Sequence, residues 1–139
     1  MSIELSFEEI KKKFKIVVVD DSDFSRKGII EILEEEEFNV VGEANSAEQA
    51  IKIGSSTTPH LYLIDIVMPE VSGLELIPLL REIDKQCLIV IMSSLSSENI
   101  VIESISAGAN DFLKKPFDKK DLIITIEKLI RYIMAEKSI

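Results

Sequence analysis

The chain has 139 residues, of which 46% are hydrophobic and 29% charged, the make-up of one ordinary globular domain and not of a disordered segment. Its formal net charge of −9 argues against a duplex-binding surface and against a polybasic membrane patch, so neither nucleic acid nor a membrane is expected as a partner. The single cysteine, Cys87, excludes an internal disulfide and a thiolate metal cluster, and with no apolar leader or membrane-length run a soluble, cytoplasmic protein is expected.

Residues 1–14 form an extension ahead of the first β-branched run. Within it, Ser6-Phe-Glu-Glu9 has the capping-box form, a hydroxyl followed three places on by a glutamate. Leu5 and Ile10 are the matching staple pair, so a short extra helix is expected. Residues 15–139 then alternate short apolar runs with segments of helical period. KIVVVD (15–20), FNVVGE (38–43), LYLID (61–65), LIVIMS (88–93) and the weaker DFLKK (111–115) read as strands. Near-continuous apolar strands between helices indicate a parallel sheet covered on both faces.

Helix boundaries are written in the caps. Ser22 or Asp23 starts the helix after the first strand, and the run Glu34 to Glu37 ends it against the macrodipole, which reads as a frayed, solvated end. Ser46-Ala-Glu-Gln49 and Ser72-Gly-Leu-Glu75 are further capping boxes, and Ser97 and Asp118 are single caps. Pro78 falls inside a helix, where it removes one backbone bond and should bend the axis. Ala107-Gly108-Ala109 supplies a glycine stop before the fifth strand. Five β-α units in this order predict an α/β three-layer sandwich.

In an open parallel sheet, function collects outside the C-terminal ends of the strands. The first strand delivers Asp20 and Asp21 there, the third Asp65, the fourth Ser93 and Ser94, and the fifth Lys115 ahead of Pro116. Adjacent carboxylates repel and gain nothing for folding alone. Clustered, they suit a hard divalent cation such as Mg²⁺. An aspartate beside such an ion can attack phosphorus and form an acyl phosphate, with the amine and hydroxyl orienting the phosphoryl oxygens. Lys114 is sent to the opposite face by strand alternation, and His60 lies before the third strand, at the wrong end for this site.

At these residues the sequence resembles the receiver domain of two-component response regulators, over roughly 15–132. VVVDDS (17–22), LIDIVMPEVSGLEL (63–76), VIMSS (90–94) and SAGANDFLKKPF (106–117) carry the resemblance, in the family's order. It implies a doubly wound, flavodoxin-like sheet of strand order 2-1-3-4-5. It implies Asp65 as phosphoacceptor, supplied by a sensor histidine kinase or a histidine phosphotransfer protein. Mg²⁺ would be held by Asp21, Asp65 and the backbone carbonyl of Val67, with Asp20 acting mainly through water. Ser93 would be the switch hydroxyl, Lys115 the partner of the phosphoryl group, with a cis bond to Pro116, and Phe112 the aromatic that turns inward with the switch. Val67 and Leu95 occupy the two positions that flank the attacking water in the family. Both are apolar, so slow self-dephosphorylation is expected.

The last helix carries Leu122, Ile126, Leu129 and Ile133 at helical spacing, the face expected to meet the sheet. Ile123, Ile124 and Ile130 widen that arc, and Ile102 extends it onto the helix after the fourth strand. An exposed apolar strip is expected there, on the face of that helix, the fifth strand and the last helix, serving a downstream protein or a homodimer. With the domain filling nearly the whole chain, output by protein contact is expected, and no enzymatic turnover beyond Mg²⁺-dependent self-phosphorylation and self-dephosphorylation.

Two other readings compete. Asp21-Ser-Asp-Phe-Ser25 after an apolar strand also looks like the first motif of haloacid-dehalogenase-type phosphatases, with Asp21 as nucleophile and Asp23 as general acid. That family needs a final acidic motif after its hydroxyl and lysine, whereas Asp65 precedes Ser93 and Lys115. A receiver-like scaffold that works without phosphorylation would be expected to lack a site residue, and all are present.

Overall fold

The computed structural model describes residues 5–137, so residues 1–4 of the expected extension and the last two residues lie outside the description. The elements are α1 (Phe7–Lys13), β1 (Lys15–Val19), α2 (Asp23–Glu35), β2 (Asn39–Ala44), α3 (Ala47–Thr57), β3 (Leu61–Asp65), α4 (Gly73–Ile83), β4 (Leu88–Ser93), α5 (Glu98–Ala107), β5 (Asp111–Lys114) and α6 (Lys119–Lys137). The five strands are all parallel and lie in the order β2-β1-β3-β4-β5, so the expected doubly wound sheet is present. Because the chain starts in the middle and winds first one way and then the other, the ends of β1 and β3 meet at the switch point.

Strand alternation builds two cores. Ile16, Val18, Leu61, Leu63, Val90 and Met92 face one way, against Ile29 and Leu33 of α2 and Leu122, Ile126 and Ile130 of α6. Val17, Val19, Tyr62, Ile64, Ile89 and Ile91 face the other, against Ala47 and Ala50 of α3 and Leu76, Ile77 and Leu80 of α4. Both faces are therefore dry, which is why these strands have no polar alternation.

The caps behave largely as their sequences imply. Ser6–Glu9 and Ser72–Glu75 form complete capping boxes. Ser46 accepts from Gln49 N–H, but Gln49 Oε1 accepts from Asn45 N–H, one residue ahead of the cap, at 2.8 Å. Asp118 Oδ1 accepts from Asp121 N–H at 2.8 Å, and Gly108, with φ 118°, closes α5. The α4 helix continues through Pro78 to Ile83. Leu5 stays exposed while Ile10 and Phe7 pack onto the core, and Arg131 lies over the Phe7 ring at 4.4 Å.

Two expectations need correction. The glutamate run that ends α2 is not frayed: Glu37 takes φ 64°, Phe38 N–H returns to Leu33 carbonyl oxygen at 2.9 Å, and Lys119 reaches Glu36 at 2.8 Å. Ile130 does not widen an exposed strip, being fully buried in the same core as Phe7 and Ile10. The exposed apolar groups on that side are Ile102 and Ile105 of α5 and Ile124 of α6, with Ile123 half-buried.

Candidate phosphoacceptor and metal site

The strand register carries the chemistry to one edge. Asp65 ends β3 opposite Met92, and Ser93 ends β4 opposite Lys114, so Lys115 follows directly; its N–H donates to Ser93 carbonyl oxygen at 2.9 Å. The Lys115–Pro116 bond is cis. Asp20, Asp21 and Asp65 each offer a carboxylate oxygen, and these oxygens lie within 4.8 Å of one another. Asp20 is fully buried, Asp65 half-buried and Asp21 exposed, so the cluster opens to solvent on the Asp21 side.

Asp20 is the best-held of the three. Its Oδ1 accepts from Ser22 N–H at 3.0 Å, and its Oδ2 accepts from Ser25 Oγ at 2.6 Å and from Lys115 Nζ at 2.7 Å. Burial pushes this carboxyl up, but those three bonds together outweigh it and hold Asp20 below its ordinary 3.8. Asp65 has the opposite balance. Burial raises it to about 6; Lys115, at 3.6 Å, and a bond from Val67 N–H oppose the rise, while Asp20 and Asp21 add repulsion. Two neighbouring carboxyls are thus pushed apart in acidity, the mark of a site where they do different work.

The donor set fits a hard cation. Three carboxylate oxygens of graded exposure are the ligand chemistry of Mg²⁺, which takes one or two carboxylates directly and keeps several waters. Asp20 already accepts three hydrogen bonds, which suits it to a water-mediated contact, while Asp21 and Asp65 retain open oxygens.

The remaining residues singled out in the sequence divide between this edge and the rest of the molecule. Ser93 is fully buried and its Oγ accepts from Leu95 N–H at 2.9 Å. Val67 and Leu95 are 56% and 49% exposed, apolar groups in the loops that follow β3 and β4. Phe112 is half-buried and packs with the α3–α4 core, and Lys114 is exposed, on the same face of β5 as Phe112 and opposite to Leu113. His60 lies at the far end, where its Nδ1 accepts from Lys15 N–H at 2.9 Å and its ring stacks on Phe14. Asp23 is outside the cluster: its carboxylate meets Arg26 at 2.6 Å, so it is not placed to serve Asp21 as a general acid.

Three residues of the site escaped the sequence reading. Ser25 bridges Asp20 and Lys115. Arg26, buried, donates to Asp20 carbonyl oxygen at 2.7 Å and to Glu43 at 2.7 Å, clamping the turn between β1 and α2 against β2. Both stand in the first turn of a helix capped by Ser22, where side chains lean back toward the preceding strand end; that lean was the available signal. Gly73 is the third: a Cβ there would come within 2.4 Å of Asp65 carbonyl oxygen, so only glycine lets α4 start this close to the acceptor strand.

Comparison with known proteins agrees with this geometry. Residues 16–127 match the model of the response regulator receiver domain. The chemotaxis protein CheY of Bacillus subtilis is 36% identical over 116 residues, 84% of this chain and 97% of that protein. CheY of Thermotoga maritima is 31% identical over 115 residues, covering 83% and 96%. Among solved structures, a CheX–CheY–BeF₃–Mg²⁺ complex from Borrelia burgdorferi superimposes with a TM-score of 0.80 at 27% identity, covering 84% of this chain and 88% of that one.

Proposed function

The chain belongs to the response regulator receiver domain family of two-component signalling, and from that premise we propose that it is a switch phosphorylated on Asp65 by a phosphohistidine protein. The observation that carries the reading is the set of strand ends: a carboxyl on Asp65 with its pKa raised to about 6, two further carboxylates for a cation, and a lysine 3.6 Å from the Asp65 oxygen.

Asp65 attacks phosphorus as a carboxylate, the form it takes above about pH 6, while the phosphorus–nitrogen bond of the donor phosphohistidine breaks and the histidine leaves with the electron pair. Mg²⁺, held by Asp21, Asp65 and the Val67 carbonyl with Asp20 through water, would neutralise charge on the carboxylates and on the phosphoryl oxygens. Lys115 shifts from Asp20 toward the new phosphoryl oxygens, and Ser93 supplies a hydroxyl once it releases Leu95 N–H. Phe112 follows Ser93 inward, altering the face formed by α5, β5 and α6, where Ile102, Ile105 and Ile124 are exposed. Contact through that face, with a downstream protein or a second copy, is the output. Val67 and Leu95 shield the phosphoryl group from water and lengthen the signal. Residues 15–139 are the receiver, residues 1–14 an extension outside it, and the cytoplasm is the compartment; among the described residues no helix is long and apolar enough to cross a membrane.

The test is intact mass after incubation with acetyl phosphate and Mg²⁺, with Asp65→Asn as control. A single phosphoryl adduct that requires both Mg²⁺ and Asp65 is the expected result. An adduct that survives Asp65→Asn but disappears with Asp21→Asn would overturn the assignment in favour of a phosphatase-type nucleophile.

A further inference from the structure

Lys115 has more partners than its proposed role requires. Its ammonium donates to Asp20 Oδ2 at 2.7 Å and to Ser25 Oγ at 3.0 Å, and stands 3.6 Å from Asp65 Oδ2. Ser25 in turn donates its own proton to the same Asp20 oxygen, at 2.6 Å. One buried carboxylate oxygen is thus shared by an ammonium and a hydroxyl, and the hydroxyl touches both.

The consequence concerns what Lys115 leaves behind. Asp20 has no exposed surface, so an oxygen that lost its donors could not draw on bulk solvent to replace them and would have only the water-mediated contact proposed toward Mg²⁺. With Ser25 present, the Oδ2 of Asp20 keeps a short hydrogen bond when the ammonium departs. Without it, Lys115 would be the sole side-chain donor to that oxygen and would be held there. Ser25 does not reach Asp65 and is therefore not a catalytic residue.

We propose that Ser25 is a positioning residue that frees Lys115 from Asp20, so that the ammonium can follow the phosphoryl group onto Asp65. This rests on the reading of Asp65 as phosphoacceptor. In the step concerned, an Asp65 carboxylate oxygen forms a bond to phosphorus, the bond from phosphorus to the acyl oxygen of acetyl phosphate breaks, and acetate leaves with the electron pair. Charge accumulates on the phosphoryl oxygens as Lys115 arrives.

The experiment compares Ser25→Ala, Ser25→Val and Ser25→Thr with the parent for the initial rate of phosphorylation by acetyl phosphate at saturating Mg²⁺, read by intact mass. Val and Thr have the same shape and differ in the hydroxyl. Ala and Val are expected to slow phosphorylation about tenfold, the worth of one hydrogen bond to a charged group, while Thr stays near the parent. Thermal midpoints should change little in all three, since Lys115 still covers Asp20 in the resting state. Equal rates for Val and Thr, whether both fast or both slow, would overturn the role given to the hydroxyl. If the parent itself gains no phosphoryl group, the phosphoacceptor reading has failed, and Ser25 with it.

Discussion

Replacing Asp65 by asparagine should stabilise the metal-free protein at neutral pH. Burial, with repulsion from Asp20 and Asp21, raises this carboxyl from 3.8 to about 6, so the folded state bears a charge that the unfolded chain carries more easily. At about 1.4 kcal/mol per pH unit the gap is of order 3 kcal/mol. Solvent on the open side of the cluster reduces this to ~1–2 kcal/mol, roughly 3–8 °C in Tm for a domain of this size. The sign follows from linkage. A carboxyl whose folded value is raised destabilises above that value, and the penalty shrinks as pH falls through about 6 and vanishes below 3.8. The gain from Asp65→Asn should therefore be largest near pH 7.5 and fade between pH 6 and 4. Millimolar Mg²⁺ should raise the Tm of the parent more than that of the variant, since the ion offsets the same repulsion. Calorimetric melts across this pH range, with and without Mg²⁺, measure all of it. No gain at pH 7.5, or a gain that does not depend on pH, would refute the electrostatic account of the cluster.

The other predictions concern the residues around Asp65. Lys115→Met removes the ammonium from a fully buried Asp20 and should lower stability by about 2–3 kcal/mol in urea titrations near pH 7, less than the usual loss for a buried pair because Ser25 and Ser22 N–H remain. Asp20 is held below 3.8, so that contribution is present above 3.8 and lost on further acidification; the variant and parent should converge in acid. Gly73→Ala forces a methyl against Asp65 carbonyl oxygen and should cost about 3 kcal/mol, with a matching fall in Tm. Val67→Asn with Leu95→Glu puts polar groups at the two positions proposed to shield the phosphoryl group, and the aspartyl phosphate should then decay at least several-fold faster by intact mass after donor removal. Decay no faster than the parent's would remove both residues from any role in signal lifetime.

Much of this fold is legible in the chain because its strands are buried on both faces and its helices begin at explicit caps. LYLID and LIVIMS run as strands over the very residues expected, β1 and β5 each stop one residue early, and β2 is shifted by one residue at both ends. The misreadings arise where a neighbour distant in sequence decides. Ile130 stands one turn after Ile126 at the edge of the sheet-facing stripe of α6, and packing in the core shared with α1 buries it fully. The glutamates at the end of α2 look repulsive in isolation, yet Lys119, more than eighty residues on, pairs with Glu35 and Glu36. Among the site residues, Asp20, Asp21, Asp65, Ser93 and Lys115 could be found because strands end where they stand. Ser25 and Arg26 could not, because a serine and an arginine one turn into a helix carry no pattern until the strand end beneath them is known.

The exposed apolar side chains follow a different geography from the charged ones. Phe24, Val67 and Leu95 sit on helices and loops around the mouth of the site, and Ile102, Ile105 and Ile124 on helix exteriors to one side. None of them holds an element of the sheet in place. On the proposed reading the chemistry is wired into the ends of buried strands, while the choice of partner would be painted on replaceable surface. A lineage carrying this chain could exchange its conversational partners by drift at those positions, one at a time, without retuning the reaction underneath.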